Sequence, residues 1–171
     1  MKIFIGTNEK LISMALLVLR IALGLIFFAH GSQKVLGLFG GKGLDETVAM
    51  MHKSLGGPLF LPYLSAFAEF LGGIGILLGL FTRFFGMALL INMCVAVFAV
   101  HLKNGFFAPT GFEYPASLGM LALAITLAGP GLYSLDYALF SSRIPRESEN
   151  QQRIQPPFNV PSGTVQFGPT A

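Results

Sequence analysis

Apolar residues along this chain gather in four long runs, at 11–29, 60–80, 84–100 and 114–128. None of the runs alternates apolar and polar positions, which excludes the strands of a membrane β-barrel. A bilayer core about 30 Å thick is crossed by roughly 20 helical residues rising about 1.5 Å each, within a usual range of about 17–25. The first three runs meet that length, and the Gly129-Pro130-Gly131 flank extends the fourth to residue 130. The pattern predicts an all-α polytopic membrane protein, an antiparallel bundle of four transmembrane helices at 11–29, 60–80, 84–100 and 114–130.

The connections carry their own patterns. Between the first two runs, Leu44, Val48, Met51 and Leu55 recur at helical spacing, with Asp45 and Glu46 early and Lys53 late. That charge order suits the helix dipole and predicts a short amphipathic helix ending at Gly56-Gly57-Pro58, an interfacial lid in the first loop. The second loop is only Phe81-Thr82-Arg83, so spans two and three form a tight hairpin. Beyond Phe140 the apolar pattern is lost. Residues 141–171 hold half of the chain's 10 prolines among many Gln, Ser and Asn residues, and are expected to form a flexible polar tail on a transmembrane domain of residues 1–140.

Composition agrees with the pattern. Charged residues make up 11% of the chain against about 25% in a soluble domain, too few to cover a globular surface. The net charge of +3 is scattered at span ends, which suits lipid headgroups and excludes a nucleic-acid-binding stripe. Lys2, Lys10, Arg83, Arg143, Arg146 and Arg153 fall on one side and Lys34, Lys42, Lys53 and Lys103 on the other. The excess predicts both termini in the cytoplasm. The first run continues past Arg20 with no small-x-small cleavage site, so it is expected as a retained span. The single cysteine, Cys94, rules out dithiol relay chemistry within this chain and is expected in the core.

Two groups of polar residues interrupt the apolar runs. Arg20 and Glu69 each lie about nine residues into spans that run oppositely, which puts both near mid-membrane. An unpaired charge there costs about 2.5–3.5 kcal/mol on insertion scales, so a mutual pair is expected, with Asn92 at similar depth completing the hydrogen bonding. Gly24, Gly72 and Gly73 share their helical faces and allow close approach of backbones or a small polar cavity. Such a pair either fixes helix register alone or forms part of a substrate site. The second group, His30, Lys34, His101, Asn104 and Glu113, gathers at the non-cytoplasmic ends of spans one, three and four. A histidine exchanges protons near neutral pH, Lys34 can stabilise an anionic oxygen, and Glu113 can orient a histidine. The bland alternative is that these residues cap helix ends. Haem ligation by two histidines is disfavoured, no metal motif is present, and His52 reads as surface-exposed.

These residues resemble the DoxX family of small bacterial four-helix membrane proteins, related to the membrane subunit of thiosulfate:quinone oxidoreductase. The matching pieces are Leu19-Arg20 with Gly24, His30-Gly31-x-x-Lys34, Glu69-Phe70-Leu71-Gly72-Gly73 and Gly79-Leu80-Phe81-Thr82-Arg83. They continue with His101-x-x-Asn104-Gly105-Phe106-Phe107, Glu113, Gly129-Pro130-Gly131 and Ser134-Leu135-Asp136. The series runs from about residue 14 to 138 and implies redox work at the membrane.

The leading expectation is a membrane oxidoreductase, or the membrane subunit of a redox complex, acting on a quinone or a small sulfur or phenolic compound. His30, Lys34, His101 and Glu113 are the candidate catalytic residues, and Arg20, Glu69, Asn92 and Asn104 the candidate substrate-binding ones. Since no flavin, haem or dithiol motif is evident, electrons come from a partner or a bound reductant. The alternatives are a non-enzymatic anchor for soluble redox or stress-response enzymes, and a small transporter, which four short helices would support only as a homo-oligomer.

Overall fold

The computed structural model describes residues 8–107 and 109–141, and among them every regular element is helical. Helix α1 spans Glu9–Val35, α2 Leu44–Leu55, α3 Phe60–Leu78 and α4 Thr82–Val95. Helix α4 runs on through a π turn, Ala96–His101, and a 3-10 turn, Leu102–Asn104; α5 (Glu113–Ala128) and the short α6 (Leu135–Phe140) follow. Three helices, Glu9–Val35, Phe60–Leu78 and Thr82–Asn104, are long and apolar enough to cross a membrane, while Glu113–Ala128 is a shorter apolar helix. This is a multi-pass membrane protein. The region expected as a proline-rich tail lies, beyond Ser141, outside the described residues.

Helix α1 begins where Asn8 accepts a hydrogen bond from the Lys10 backbone N–H at 3.0 Å, with Glu9 in the first turn and Lys34 in the last. It runs 27 residues and passes its predicted end by a turn and a half. The polar residues after Ala29 do not end it: the His30 ring packs against Tyr114 of α5, and Lys34 pairs with Glu69 of α3. Helix α2 falls on the predicted lid and ends at Gly56, whose φ of +66° is open to glycine at little cost.

Glycines set the helix pairing. A Cβ on Gly24 would meet Leu77, one on Gly73 would meet the Phe28 backbone, and one on Gly31 the Phe70 backbone. The matched numbers run in opposite order, so α1 and α3 are antiparallel with backbones in near contact, as small residues in membrane helices permit. Gly72 sits on Leu89 and Gly75 on Phe85 in the α3–α4 hairpin, and Gly119 lies against Met93 between α4 and α5. Leu23, Phe27, Ile76, Leu89, Ala122 and Ile125 fill the interior. Large apolar side chains point outward, Phe84 and Phe98 at 69% and 71% exposure among them, as a lipid-facing surface requires.

Three expectations need correction. Cys94 is exposed, because it shares the outward stripe of α4 with Met87, Ile91 and Phe98 at helical spacing. Thr82 belongs to α4, so the hairpin loop is Gly79-Leu80-Phe81. Gly129 (φ +84°) turns the chain out of α5, so the Gly-Pro-Gly flank terminates this helix at Ala128 instead of extending it.

The hairpin is held from outside. Asp136, at the start of α6, accepts hydrogen bonds from the Phe81 and Thr82 N–H groups at 2.7 and 2.9 Å, and its own N–H donates to Gly79 O at 2.8 Å. A carboxylate thus covers the N-terminus of α4, where N–H groups lack helical partners. Replacing Asp136 with alanine is expected to lower stability by about 0.5–2 kcal/mol, the usual cost of a lost N-cap, read by thermal denaturation of the purified protein.

Candidate functional site

Arg20 and Glu69 are not partners. Arg20 is 1% exposed, and its guanidinium donates only to backbone carbonyls. Nε reaches Ile76 O at 3.0 Å and Nη2 reaches Leu77 O at 3.2 Å, both in the last turn of α3. Nη1 reaches Pro130 O at 2.7 Å and Tyr133 O at 2.9 Å, in the segment between α5 and α6. The last carbonyls of a helix have no helical partner and carry its negative dipole end, so a planar cation with a fork of donors fits there. The charge is relieved by these carbonyl dipoles and by the nearby Asp136 carboxylate, not by Glu69. The expected pair fails on register. The contacts that match Gly31 with Phe70 and Gly24 with Leu77 place Glu69 level with the end of α1, about twelve residues or about 18 Å from Arg20. Because α1 extends to Val35, counting residues from the edge of each apolar run misjudged the depth by several turns.

Glu69 instead meets Lys34. Its Oε1 accepts from Lys34 Nζ at 2.6 Å and from Asn92 Nδ2 at 2.9 Å, which joins α1, α3 and α4. The Asn92 contact was expected and is present. The carboxylate is 4% exposed, and its Oε2 is buried without a hydrogen-bond partner among the described residues. The Lys34 side chain is 28% exposed and keeps two of its three N–H donors unspent by this pair. Asn92 likewise retains one N–H and its carbonyl oxygen.

These three side chains line a cavity of about 510 Å³, within the range of about 300–1,000 Å³ usual for small-molecule sites. Thr47 and Met51 of the lid helix α2 form one wall. Ala96, Ala99 and His101 of the π turn form another. A π turn rotates the residues beyond it relative to an α-helix, and it brings His101 onto the face that Asn92 occupies. The His101 ring is held by Nδ1, 2.8 Å from Thr110 O.

Lys34, Glu69, Asn92 and His101 are thus brought together, although the sequence pattern divided them between two sites. The other candidates lie apart. His30 is exposed and packs edge-on against Tyr114, with ring centroids 6.4 Å apart. Asn104 is exposed and donates to Thr110 O at 3.1 Å. Glu113 opens α5, its N–H bonded to Phe106 O at 2.9 Å. None of these three borders the cavity. His30 lies one turn before Lys34 on α1, but its ring packs against Tyr114 of α5 and does not line the cavity. His52 is exposed, as expected.

Sequence reasoning gave no role to Ser65 or Gln33, which line the cavity, or to Asp136, which caps α4. Ser65 lies four residues before Glu69 and so on the same helical face, a signal available in the sequence. No comparable signal marked the carbonyls of Pro130 and Tyr133.

The DoxX family profile matches residues 15–102, a stretch that contains Arg20, Lys34, Glu69, Asn92 and His101. The chain is 31% identical over 135 residues, 79% of its length and 94% of the relative's, to a Bacillus subtilis (strain 168) protein named "Putative oxidoreductase CatD". It is also 31% identical over 130 residues, 71% of this chain and 88% of the relative, to an uncharacterized protein of Haemophilus influenzae (strain ATCC 51907 / DSM 11121 / KW20 / Rd). No solved structure matches. On the span of the profile match and the near-complete coverage of these relatives, the chain belongs to the DoxX family.

Proposed function

We propose that this chain is a membrane oxidoreductase, or the membrane subunit of a redox complex, which binds a quinone or a small sulfur or phenolic compound at Lys34, Glu69 and Asn92. One observation carries the reading: a buried carboxylate, bridged to a lysine and an asparagine from two other helices, lines a cavity of ligand size with donors and acceptors to spare. The oxidoreductase name of the Bacillus subtilis relative supports the same class.

The chemistry follows from the inventory. A quinone carbonyl accepts from Lys34 Nζ or Asn92 Nδ2, and a quinol hydroxyl donates to Asn92 Oδ1. Reduction of a quinone to a quinol takes two electrons and two protons. The electrons come from a sulfur-compound reductant or a soluble redox partner. The protons pass through groups that can carry them at the cavity wall, Lys34, Glu69 and His101. His101 replaces His30 as the histidine of the site. The protein lies, in this reading, in a bacterial cytoplasmic membrane with both termini inside, which puts the cavity toward the outer face.

Calorimetric titration of the purified protein with a tailless benzoquinone tests the site. Glu69→Gln and His101→Ala are expected to weaken binding about tenfold, while His30→Ala leaves it unchanged. Loss of binding in His30→Ala alone would overturn the site. No binding and no turnover, together with co-purification of soluble enzymes, would favour an anchor for those enzymes instead.

A further inference from the structure

Beside the polar cavity lies a second space of about 500 Å³ with a different lining. Leu61, Leu64 and Ala68 of α3 and Ala88 and Ile91 of α4 make its walls, and Leu55 of α2 its rim. Leu64 and Ile91 are 61% and 58% exposed on the outward face of the α3–α4 hairpin, the face that meets lipid. The two spaces adjoin: Met51, Leu55, Ser65, Asn92, Val95 and Ala99 border both. Asn92 therefore stands at the junction, with its amide on Glu69 on one side and the apolar slot on the other.

From this we infer that the substrate is a lipid-soluble quinone whose hydrocarbon tail occupies the slot between α3 and α4, and that it enters sideways from the bilayer under the lid helix. The inference rests on the quinone reading of the polar cavity and selects, among the compounds allowed there, the tailed one. A water-soluble sulfur compound or a simple phenol has no group to cover five apolar walls, and an empty apolar slot opening to lipid fills with hydrocarbon in any case. Because Asn92 borders both spaces, that hydrocarbon is assigned as the tail of the molecule whose ring is hydrogen-bonded at Lys34 and Asn92. Small side chains at Ala68 and Ala88 leave the slot open. Gly56 and Gly57, with φ of +66° and +82°, shape the rim where α2 gives way to α3.

The test compares two probes on the full-length protein in detergent, a methoxy-substituted benzoquinone without a tail and the same ring bearing a decyl chain. The wild type is expected to bind the decyl compound about tenfold more tightly or better. Ala88→Phe, which fills the slot from α4, is expected to abolish that preference and leave the affinity for the tailless ring unchanged. An unchanged preference in Ala88→Phe, or equal affinity for both probes in the wild type, overturns the tail site while the quinone reading stands. Failure of both probes to bind the wild type overturns the two together. Photolabelling of the wild type with a decyl probe carrying a terminal diazirine needs no substitution. Labels within residues 61–68 and 88–95 support the slot, and labels confined to α1 or α5 refute it.

Discussion

Arg20→Ala is expected to lower the stability of the purified protein by about 3–5 kcal/mol, the range found when one side of a buried charged contact is removed. For a chain of this size, that corresponds to a fall in melting midpoint on the order of 10 °C. Four carbonyl oxygens lose the guanidinium, on Ile76, Leu77, Pro130 and Tyr133, and of these Ile76 O keeps the Gly79 N–H. A buried acceptor left unsatisfied costs about 1–3 kcal/mol, offset in part by the relief of no longer burying a guanidinium. Arg20→Lys tests the geometry. A lysine keeps the charge but has one nitrogen, which cannot serve α3 and the segment after α5 at once, so this variant is expected to lie between alanine and wild type. Quinone affinity in Arg20→Lys should be unaltered, since Arg20 is about 18 Å along the helix from the cavity. At that distance the effects of Arg20 and Glu69 substitutions should add within about 0.5 kcal/mol. A melting midpoint for Arg20→Ala indistinguishable from wild type would refute the clamp.

That clamp also shows what a sequence can and cannot disclose. The helices were legible because lipid demands unbroken apolar length, and the lid because Leu44, Val48, Met51 and Leu55 repeat at helical spacing. The presence of relief for Arg20 and Glu69 was legible as well, since neither charge can stay unpaired in an apolar span. The partners were not. Backbone carbonyls are the same in every residue, so nothing at Ile76 or Tyr133 marks an arginine site. The depth of each charge depended on where α1 ends, and that was decided by tertiary contacts of the His30–Lys34 segment. A π turn has no sequence signature of its own, so the arrival of His101 beside Asn92 was hidden too. The candidate site therefore had the right residue types, divided between two places where the fold makes one.

The Lys34–Glu69 contact gives the second large effect, and its asymmetry distinguishes a buried site from a surface ion pair. Glu69 is 4% exposed, whereas the Lys34 side chain is 28% exposed. In Lys34→Met the carboxylate stays buried with only Asn92 to satisfy it, and the loss is expected to reach about 3–5 kcal/mol. In Glu69→Gln the amide keeps a polar contact with Asn92, and the freed ammonium can turn toward the cavity, so the loss should be about 1–2 kcal/mol. The double variant Lys34→Met with Glu69→Gln removes both charges and is expected to be more stable than Lys34→Met alone, because a neutral pair carries no uncompensated charge. A coupling of about 1–3 kcal/mol should emerge from the cycle, measured by thermal denaturation in detergent. Equal losses that simply add would mean that the pair is too solvated to matter. The double variant also separates stability from function: with the bundle restored and the charges gone, benzoquinone binding should stay weakened, because the site needs the ammonium and the carboxylate as chemistry and not only as contacts between helices.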